Sequence, residues 1–295
     1  MFGNLDKAFV VALLSTLATV AFAQSDPASA EWNKPVEPFQ VIDNIYYVGA
    51  SEVSAFLITT PQGDILLDGG FAETAPIIVK NIEKLGFQVS DVHILLNSHA
   101  HLDHAGGLAK LKQLSGAKFM ASQGDRPLLE SGGHNDPQFG DSLLFPPVQV
   151  DQVITDGETV ELGGVVLHAV LTPGHTPGCT TWTMQVTERA RKRDVVFVCS
   201  TTAPERYKLV NNWAYPQIAS DYEHTFARLG SLPCDVFLAP HGSLFHLKDK
   251  MNQREAYPGN PNPFIDPVGY KKFLADSEKA FKQKLDGQVR AASAR

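Results

Sequence analysis

Four metal-capable side chains fall within six residues in His99-x-His101-x-Asp103-His104, and this cluster limits what the chain can fold into more than any other feature. It follows an apolar run, residues 93–96, that reads as a buried strand. It precedes residues 108–114, which read as a helix ending near Gly116. On a turn leaving a strand, alternate residues point to one side, so His99 and His101 can reach one ion while Asp103 and His104 turn toward a neighbouring one. Imidazole and carboxylate ligands of this kind suit zinc. Gly106-Gly107 lets the backbone close tightly before the helix starts. A lone histidine near a strand end is ordinarily a surface or core residue. Three of them with an aspartate at this spacing are read as ligands.

Two later histidines occupy similar settings. His175 lies in Thr172-Pro173-Gly174-His175-Thr176-Pro177-Gly178, after the apolar strand predicted over residues 165–171. His241 lies in Ala239-Pro240-His241-Gly242, after a predicted strand over 236–239. With His99, that makes three histidine-bearing turns at the C-terminal ends of strands, where active sites often gather. Five histidines and one aspartate exceed the needs of one tetrahedral zinc and suit two sites with three protein ligands each.

The remaining pattern predicts alternating strands and helices. Residues 45–48, 55–58 and 64–68 read as strands, with Pro61-Gln62-Gly63-Asp64 as a turn between the last two. Apolar Ile77, Ile78, Ile82 and Leu85 give residues 74–85 a helical spacing, closed by Gly86. Residues 148–154, 159–162 and 165–171 alternate like sheet strands. Residues 180–186 and 195–199 flank a charged loop, 187–194, as a hairpin. Residues 221–229 and 267–285 read as helices. Strands followed by helices in two successive halves predict an α/β sandwich, with sheets inside and helices outside. The irregular segment 131–145 is expected to be a loop flanking the site.

Residues 8–23 carry no charge, follow Lys7 and end in Ala21-Phe22-Ala23, so residues 1–23 read as a secretory signal peptide cut after Ala23. The run is shorter than the roughly 20 residues a spanning helix needs. Residues 24–38 are polar and proline-containing, a loose lead, and 24–295 read as one domain. Export implies an oxidising compartment. The net charge of −7, with no Lys/Arg-rich stretch, argues against nucleic acid as the main partner. No later apolar run is long enough to span a membrane, and with no heptad or apolar stripe in view, a monomer is expected.

The motif His99-x-His101-x-Asp103-His104, with His175 and His241 at these intervals, resembles the metallo-β-lactamase superfamily over roughly residues 36–290. The resemblance implies an αββα four-layer sandwich with a dinuclear zinc site at one edge. It implies that His99, His101 and His175 bind one zinc, and Asp103, His104 and His241 the other. Asp68, in Leu66-Leu67-Asp68-Gly69-Gly70, resembles the family's strand-end aspartate, which supports ligands rather than binding metal. Its alternative is a turn aspartate before two glycines.

Fold does not settle function within this superfamily. Glyoxalase II-like hydrolases and lactonases have a Gly-Asp after the strand that ends here near Val198, and that aspartate bridges the metals. This chain has Cys199-Ser200-Thr201-Thr202-Ala203-Pro204 instead. With Asp103 and His104 both present, the pattern is most similar to subclass B3 β-lactamases. Tyr207–Asn212 and the segment 232–236 are similar to them too, and export agrees, since such enzymes work in the periplasm. The resemblance implies hydrolysis of a β-lactam amide by metal-bound hydroxide with no covalent enzyme intermediate. Asp103, His99 and His101 would be central to catalysis, and Ser200 and Thr202 would contact the substrate carboxylate. Thr202 and the following Ala203-Pro204-Glu205-Arg206 depart from the more usual residues. Penicillins, cephalosporins and carbapenems are the expected small-molecule substrates. A different dinuclear zinc hydrolase, lactonase or thioesterase, is the second reading. A non-catalytic zinc-stabilised binding protein is the third, although structural zinc sites normally close on four ligands.

If the hairpin is centred near Arg189, Cys179 faces Cys199, and the two are expected to form a disulfide. Cys234 is then a buried free thiol. The competing reading makes Cys199 a metal ligand. His134 is expected in solvent, and His93, His168, His224 and His246 in ordinary structural roles.

Overall fold

Apolar residues on both faces of a strand require cover on both sides, and this chain supplies two sheets packed face to face with helices outside. The computed structural model describes residues 27–294, so the signal-peptide segment lies outside the described residues. After a short helix α1 (Pro27–Trp32), the first sheet runs in the order β1 (Phe39–Ile42), β2 (Ile45–Tyr47), β3 (Phe56–Thr60), β4 (Gly63–Leu67), β5 (Val92–Leu96), β6 (Lys118–Ser122) and β7 (Gln152–Ile154). Strands β1 to β4 form an antiparallel meander, and β4 to β7 pair in parallel. The second sheet holds β8 (Thr159–Leu162), β9 (Val165–Leu171), β10 (Thr180–Glu188), β11 (Arg191–Phe197) and β12 (Val236–Leu238) in the order β12-β11-β10-β9-β8. Only β11 and β12 pair in parallel there.

Phe56, Ile58, Ile65, Leu67, Ile94 and Leu96 of the first sheet share one core with Leu167, Trp182, Met184, Val195 and Phe197 of the second. The opposite face of the first sheet, with Leu57, Leu66 and Leu95, buries Ile78 and Ile82 of helix α2 (Ala75–Lys84). After the short helix α3 (Leu102–Ala105), helix α4 (Leu108–Ser115) adds Leu108 and Leu111 to that layer. Helix α5 (Arg126–Ser131) follows β6. The helices α6 (Ile218–Ser231), α7 (Leu247–Ala256) and α8 (Pro267–Ser293) complete the list, and Leu229, Tyr270 and Leu274 cover the second sheet near Phe237. The expected αββα sandwich is the observed one.

The hairpin differs from its expected form. Residues 187–194 are not a loop: β10 and β11 continue until Glu188 pairs with Arg191, and only Arg189 and Ala190, both at positive φ, make the turn. Charged residues sit on these strands because the hairpin tip reaches solvent at Thr187 and from Arg189 to Lys192, while Glu188, Arg193 and Asp194 are half-buried. The pairing of Trp182 with Phe197 places Cys179 one residue out of direct register with Cys199, yet their Cα atoms are 5.8 Å apart and the disulfide is formed. Residues 148–151 lack ladder pairing, so β7 is shorter than expected. Helix α8 runs past 285 to Ser293. Cys234 is free but half-buried rather than fully buried, and burial pushes its thiol up to about 12.

No helix among the described residues is long and apolar enough to cross a membrane.

The expected role of the glycine pair is visible in space. A Cβ on Gly107 would lie 2.2 Å from the Gly69 carbonyl oxygen, and one on Gly106 would lie 2.5 Å from that of Leu102. The contact joins the Asp68 turn to helix α3, where Gly69 N donates to His104 O (2.8 Å) and Gly107 N to Gly70 O (3.1 Å). Gly107→Ala is therefore expected to destabilise the fold by about 1–3 kcal/mol, the usual cost of overpacking, in urea denaturation. A variant with an unchanged midpoint would show that this backbone approach can relax freely.

Candidate metal centre

Strand direction gathers the site. Strands β4, β5, β9, β11 and β12 all end at one edge of the sandwich, because β4 and β5 are parallel, β11 and β12 are parallel, and β9 and β11 each run antiparallel to β10. The segments leaving these ends carry Asp68, His99 to His104, His175, Ser200 to Thr202, and His241. Hydrogen bonds close the edge between the sheets. Thr180 N donates to Ser98 O (2.8 Å), and Trp182 Nε1 to Asn97 O (3.2 Å). Ser54 N donates to Pro240 O (2.8 Å) beside His241.

All six expected ligands meet there. His101 Nδ1 lies 3.1 Å from His175 Nε2, and ligand atoms of His99, His101 and His175 lie within 4.8 Å of one another. His104 Nε2 is 3.3 Å from His241 Nε2 and 3.3 Å from Asp103 Oδ2, and His241 Nε2 is 3.4 Å from Asp103 Oδ2. Zinc–nitrogen bonds of about 2.0–2.1 Å at tetrahedral angles put neighbouring ligand atoms about 3.3–3.4 Å apart. The separations in the Asp103, His104 and His241 triad match that edge length, and His101 and His175 approach it at 3.1 Å with His99 within 4.8 Å of both, so the donor set fits a divalent metal such as zinc.

The opposite ring nitrogens support this orientation. His101 Nε2 faces Asp136 Oδ2 at 3.4 Å, His175 Nδ1 faces Thr202 O at 2.8 Å, and His99 Nδ1 faces Ser98 Oγ at 3.0 Å. His104 Nδ1 points toward Asp68 Oδ2 at 4.0 Å, and His241 Nδ1 toward Glu52 Oε1 at 3.9 Å. The close partners of His101, His175 and His99 favour the tautomer that leaves the other nitrogen free for a metal, while the carboxylates near His104 and His241 stand beyond hydrogen-bond distance. Asp68 itself accepts from Asn97 Nδ2 (2.9 Å) and Ser98 N (2.7 Å), which places it behind the ligands as the resemblance implied. Its φ of 66° is a left-handed conformation that aspartate tolerates better than most residues.

The electrostatics favour the ligand forms of His99, His175, His241 and Asp103, whereas His104 is drawn toward its protonated form by its carboxylate neighbours. Burial, followed by the charge of neighbouring imidazoles, holds His99 and His175 well below the usual histidine range. Burial and then His104 lower His241 to about 4. Burial raises the Asp103 carboxyl, but His104 and His241 outweigh it and hold it far below the usual carboxylate range. His104 is pulled down by burial yet ends raised, because Asp103 and then Asp68 lie beside it. Neutral imidazoles and an ionised carboxylate are the forms that bind metal.

Aromatic rings flank the ligands. Tyr207 stacks on His175 with centroids 5.5 Å apart and donates its hydroxyl to His175 O (3.0 Å). Phe139 meets His101 edge-on at 5.4 Å, so the expected loop 131–145 does border the site. Trp32, from the segment expected to be a loose lead, meets His241 edge-on at 5.3 Å. Asp136, in that loop, was not singled out in the sequence. Nothing local marks a loop aspartate as the partner of a distant imidazole. Ser200 is buried and Thr202 partly exposed, with their hydroxyl oxygens 3.1 Å apart and Thr202 Oγ1 3.3 Å from His175 Nδ1. Of the pair, Thr202 is the more exposed residue.

Cys179 and Cys199 lie close enough to a ring nitrogen of His99 to form a third cluster, but the disulfide occupies both sulfurs. That removes Cys199 from the ligand set. His134 is half exposed and pairs with Asp141 at 3.3 Å, and His93, His168, His224 and His246 are exposed away from the centre.

These features define a metal-dependent hydrolase fold, and a family model described as the metallo-β-lactamase superfamily matches residues 48–241. The chain belongs to that superfamily. Among solved structures, it resembles the FEZ-1 metallo-β-lactamase from Legionella gormanii, with 42% identity and a TM-score of 0.85 over 87% of this chain and 98% of that one. It also resembles BJP-1, a subclass B3 metallo-β-lactamase of Bradyrhizobium japonicum, with 41% identity and a TM-score of 0.84 over 90% and 99%. A curated relative, a hydroxyacylglutathione hydrolase of Hyphomonas neptunium, is 28% identical over 123 residues, which are 42% of this chain and 40% of that protein. The hydroxyacylglutathione hydrolase GloC of Haemophilus influenzae is 34% identical over 119 residues, 39% of this chain and 51% of that protein. The chain thus spans about half or less of these curated relatives.

Proposed function

We propose that the protein is a periplasmic β-lactamase of the subclass B3 type, using two zinc ions to hydrolyse the amide bond of penicillins, cephalosporins and carbapenems. The observation that carries this reading is the segment after β11. It brings the Thr202 hydroxyl and carbonyl to His175, with the Ser200 hydroxyl against that of Thr202, where a bridging carboxylate is expected in thioesterases and lactonases. Similarity to β-lactamases across nearly the whole of their chains supports it.

Bound zinc supplies Lewis acidity and an activated water at neutral pH. His99, His101 and His175 would hold one ion, and Asp103, His104 and His241 the other. The remaining groups orient these ligands. Asp136 and the Thr202 carbonyl fix two ring tautomers, and Asp68 braces the turn that leads to His99. Asp103, with its carboxyl held ionised, is placed to accept a hydrogen bond from the attacking water. Thr202 is placed to donate its hydroxyl to the substrate carboxylate, and Phe139, Trp32 and Tyr207 restrict water around the ligands. Residues 24–295 act as one catalytic unit after signal cleavage, as a monomer.

A thioesterase reading has its own support in the hydroxyacylglutathione hydrolase relatives. The test is hydrolysis of a penicillin, a cephalosporin, a carbapenem, a lactone and a glutathione thioester by the mature protein, with and without a zinc chelator. β-Lactam hydrolysis that vanishes on chelation and returns with zinc is expected. A zinc-loaded protein inert on all three β-lactams yet active on the thioester or lactone would overturn the first reading.

A further inference from the structure

The first triad is assembled from both sheets, since His99 and His101 follow β5 and His175 follows β9. Something must hold these two turns at the spacing at which His101 and His175 nitrogens approach to 3.1 Å. Asp125 occupies the N-cap position of α5, yet its side chain makes no hydrogen bond to that helix. Its carboxylate is buried and turned away, between the two turns. Oδ2 accepts from Ala100 N (2.9 Å) and from Thr176 Oγ1 (2.8 Å), and Oδ1 accepts from Gly178 N (2.8 Å). Ala100 lies between His99 and His101, and Thr176 directly follows His175.

The surrounding backbone is shaped to this contact. A Cβ on Gly178 would fall 2.2 Å from Asp125 N, and one on Gly124 would fall 2.6 Å from Pro177 O. Ser122 Oγ donates to Gly178 O (2.6 Å), which ties the end of β6 to the same turn. Burial raises the Asp125 carboxyl to about 6, while Thr176, Gly178 and Ala100 favour its ionised form. A buried carboxylate that gives up a helix cap to accept three donors is costly for stability alone.

We propose that Asp125 is a positioning residue that clamps the His99–His101 turn to the His175 turn and so presets the first metal triad, leaving the second triad untouched. It hydrogen-bonds none of the six ligand side chains. This inference rests on the two triads being the zinc ligands.

Asp125→Asn tests it. The amide has a single acceptor oxygen: at the Oδ1 position it keeps Gly178 N but turns its NH2 group on Ala100 N, and at the Oδ2 position it turns that group on Gly178 N, so either way one backbone donor of the clamp loses its acceptor. Zinc affinity is measured by competition with a chromophoric chelator in two backgrounds: His241→Ala, which keeps the first triad, and His175→Ala, which keeps the second. Adding Asp125→Asn is expected to weaken zinc about 10–100-fold in the first background and by no more than about twofold in the second. Thr176→Val, which removes one of the three bonds, is expected to shift affinity in the same direction by less. It carries the test if the Asn variant does not fold, and thermal unfolding of the metal-free proteins shows which variants are folded. Equal losses in both backgrounds, or no loss in the first, would overturn the proposal. Failure of the His241→Ala protein to bind zinc with Asp125 intact would instead overturn the ligand assignment, and the clamp with it.

Discussion

His175→Ala is expected to reduce kcat/KM for β-lactams by about 10³-fold or more, because metal-derived stabilisation of the transition state is worth several kcal/mol and each 1.4 kcal/mol is a factor of ten. The substitution removes the only ligand of the first triad that comes from the second sheet. It leaves Asp103, His104 and His241 within 3.4 Å of one another. Bound zinc should therefore fall to one ion per chain rather than to none, and the near-UV circular dichroism of the fold should persist. Metal analysis and steady-state kinetics of the same preparation check both parts. A variant with full zinc content and full hydrolysis would show that His175 is not a ligand.

Replacing Cys179 and Cys199 together by alanine is expected to cost about 3 kcal/mol of folding stability, the chain-entropy value for a loop of this length. The cysteines are 20 residues apart, and the bond closes the whole β10–β11 hairpin at its base. The cost should appear as a lower urea midpoint and a Tm lower by about 6–12 °C. Cys179 lies four residues after His175, and Cys199 Sγ is 3.1 Å from Ser98 O beside His99, so loosening the hairpin base should also weaken the first metal triad. Mass spectrometry of the unreduced parent should find one free thiol, at Cys234. An unchanged midpoint in the double variant would mean that strand pairing alone holds the hairpin closed.

The cluster of candidate ligands was legible because its signal is local. Three histidines and an aspartate crowded onto one turn have no common alternative, and His175 and His241 each sit just past an apolar strand. Helix α2 was legible from its apolar spacing. Helix α7 was not: its sequence Leu247–Ala256 is polar nearly all round, and only Leu247 and Lys250 are buried. Strand β6 is short and built partly from small residues, so its pattern is faint until its parallel neighbours are known. Asp125 and Asp136 were illegible for a different reason. Each is an aspartate near a turn, where aspartate is common, and its role depends on partners 25 to 53 residues away or on the His101 ring. The charged tip of the hairpin misled because charge reports solvent exposure rather than the absence of a strand.

The contact between His104 and His241 bridges 137 residues of chain, and it joins one sheet's edge to the other's. An unfolded chain therefore offers a metal the short His99–His104 cluster as its one local group of candidate ligands, without His175 and His241 held beside it. The complete pair of triads exists only once both sheets have closed on each other. If the two triads are the metal ligands, full metal loading is expected to follow closure of the two sheets, and the ion taken up would reflect the compartment in which that closure occurs.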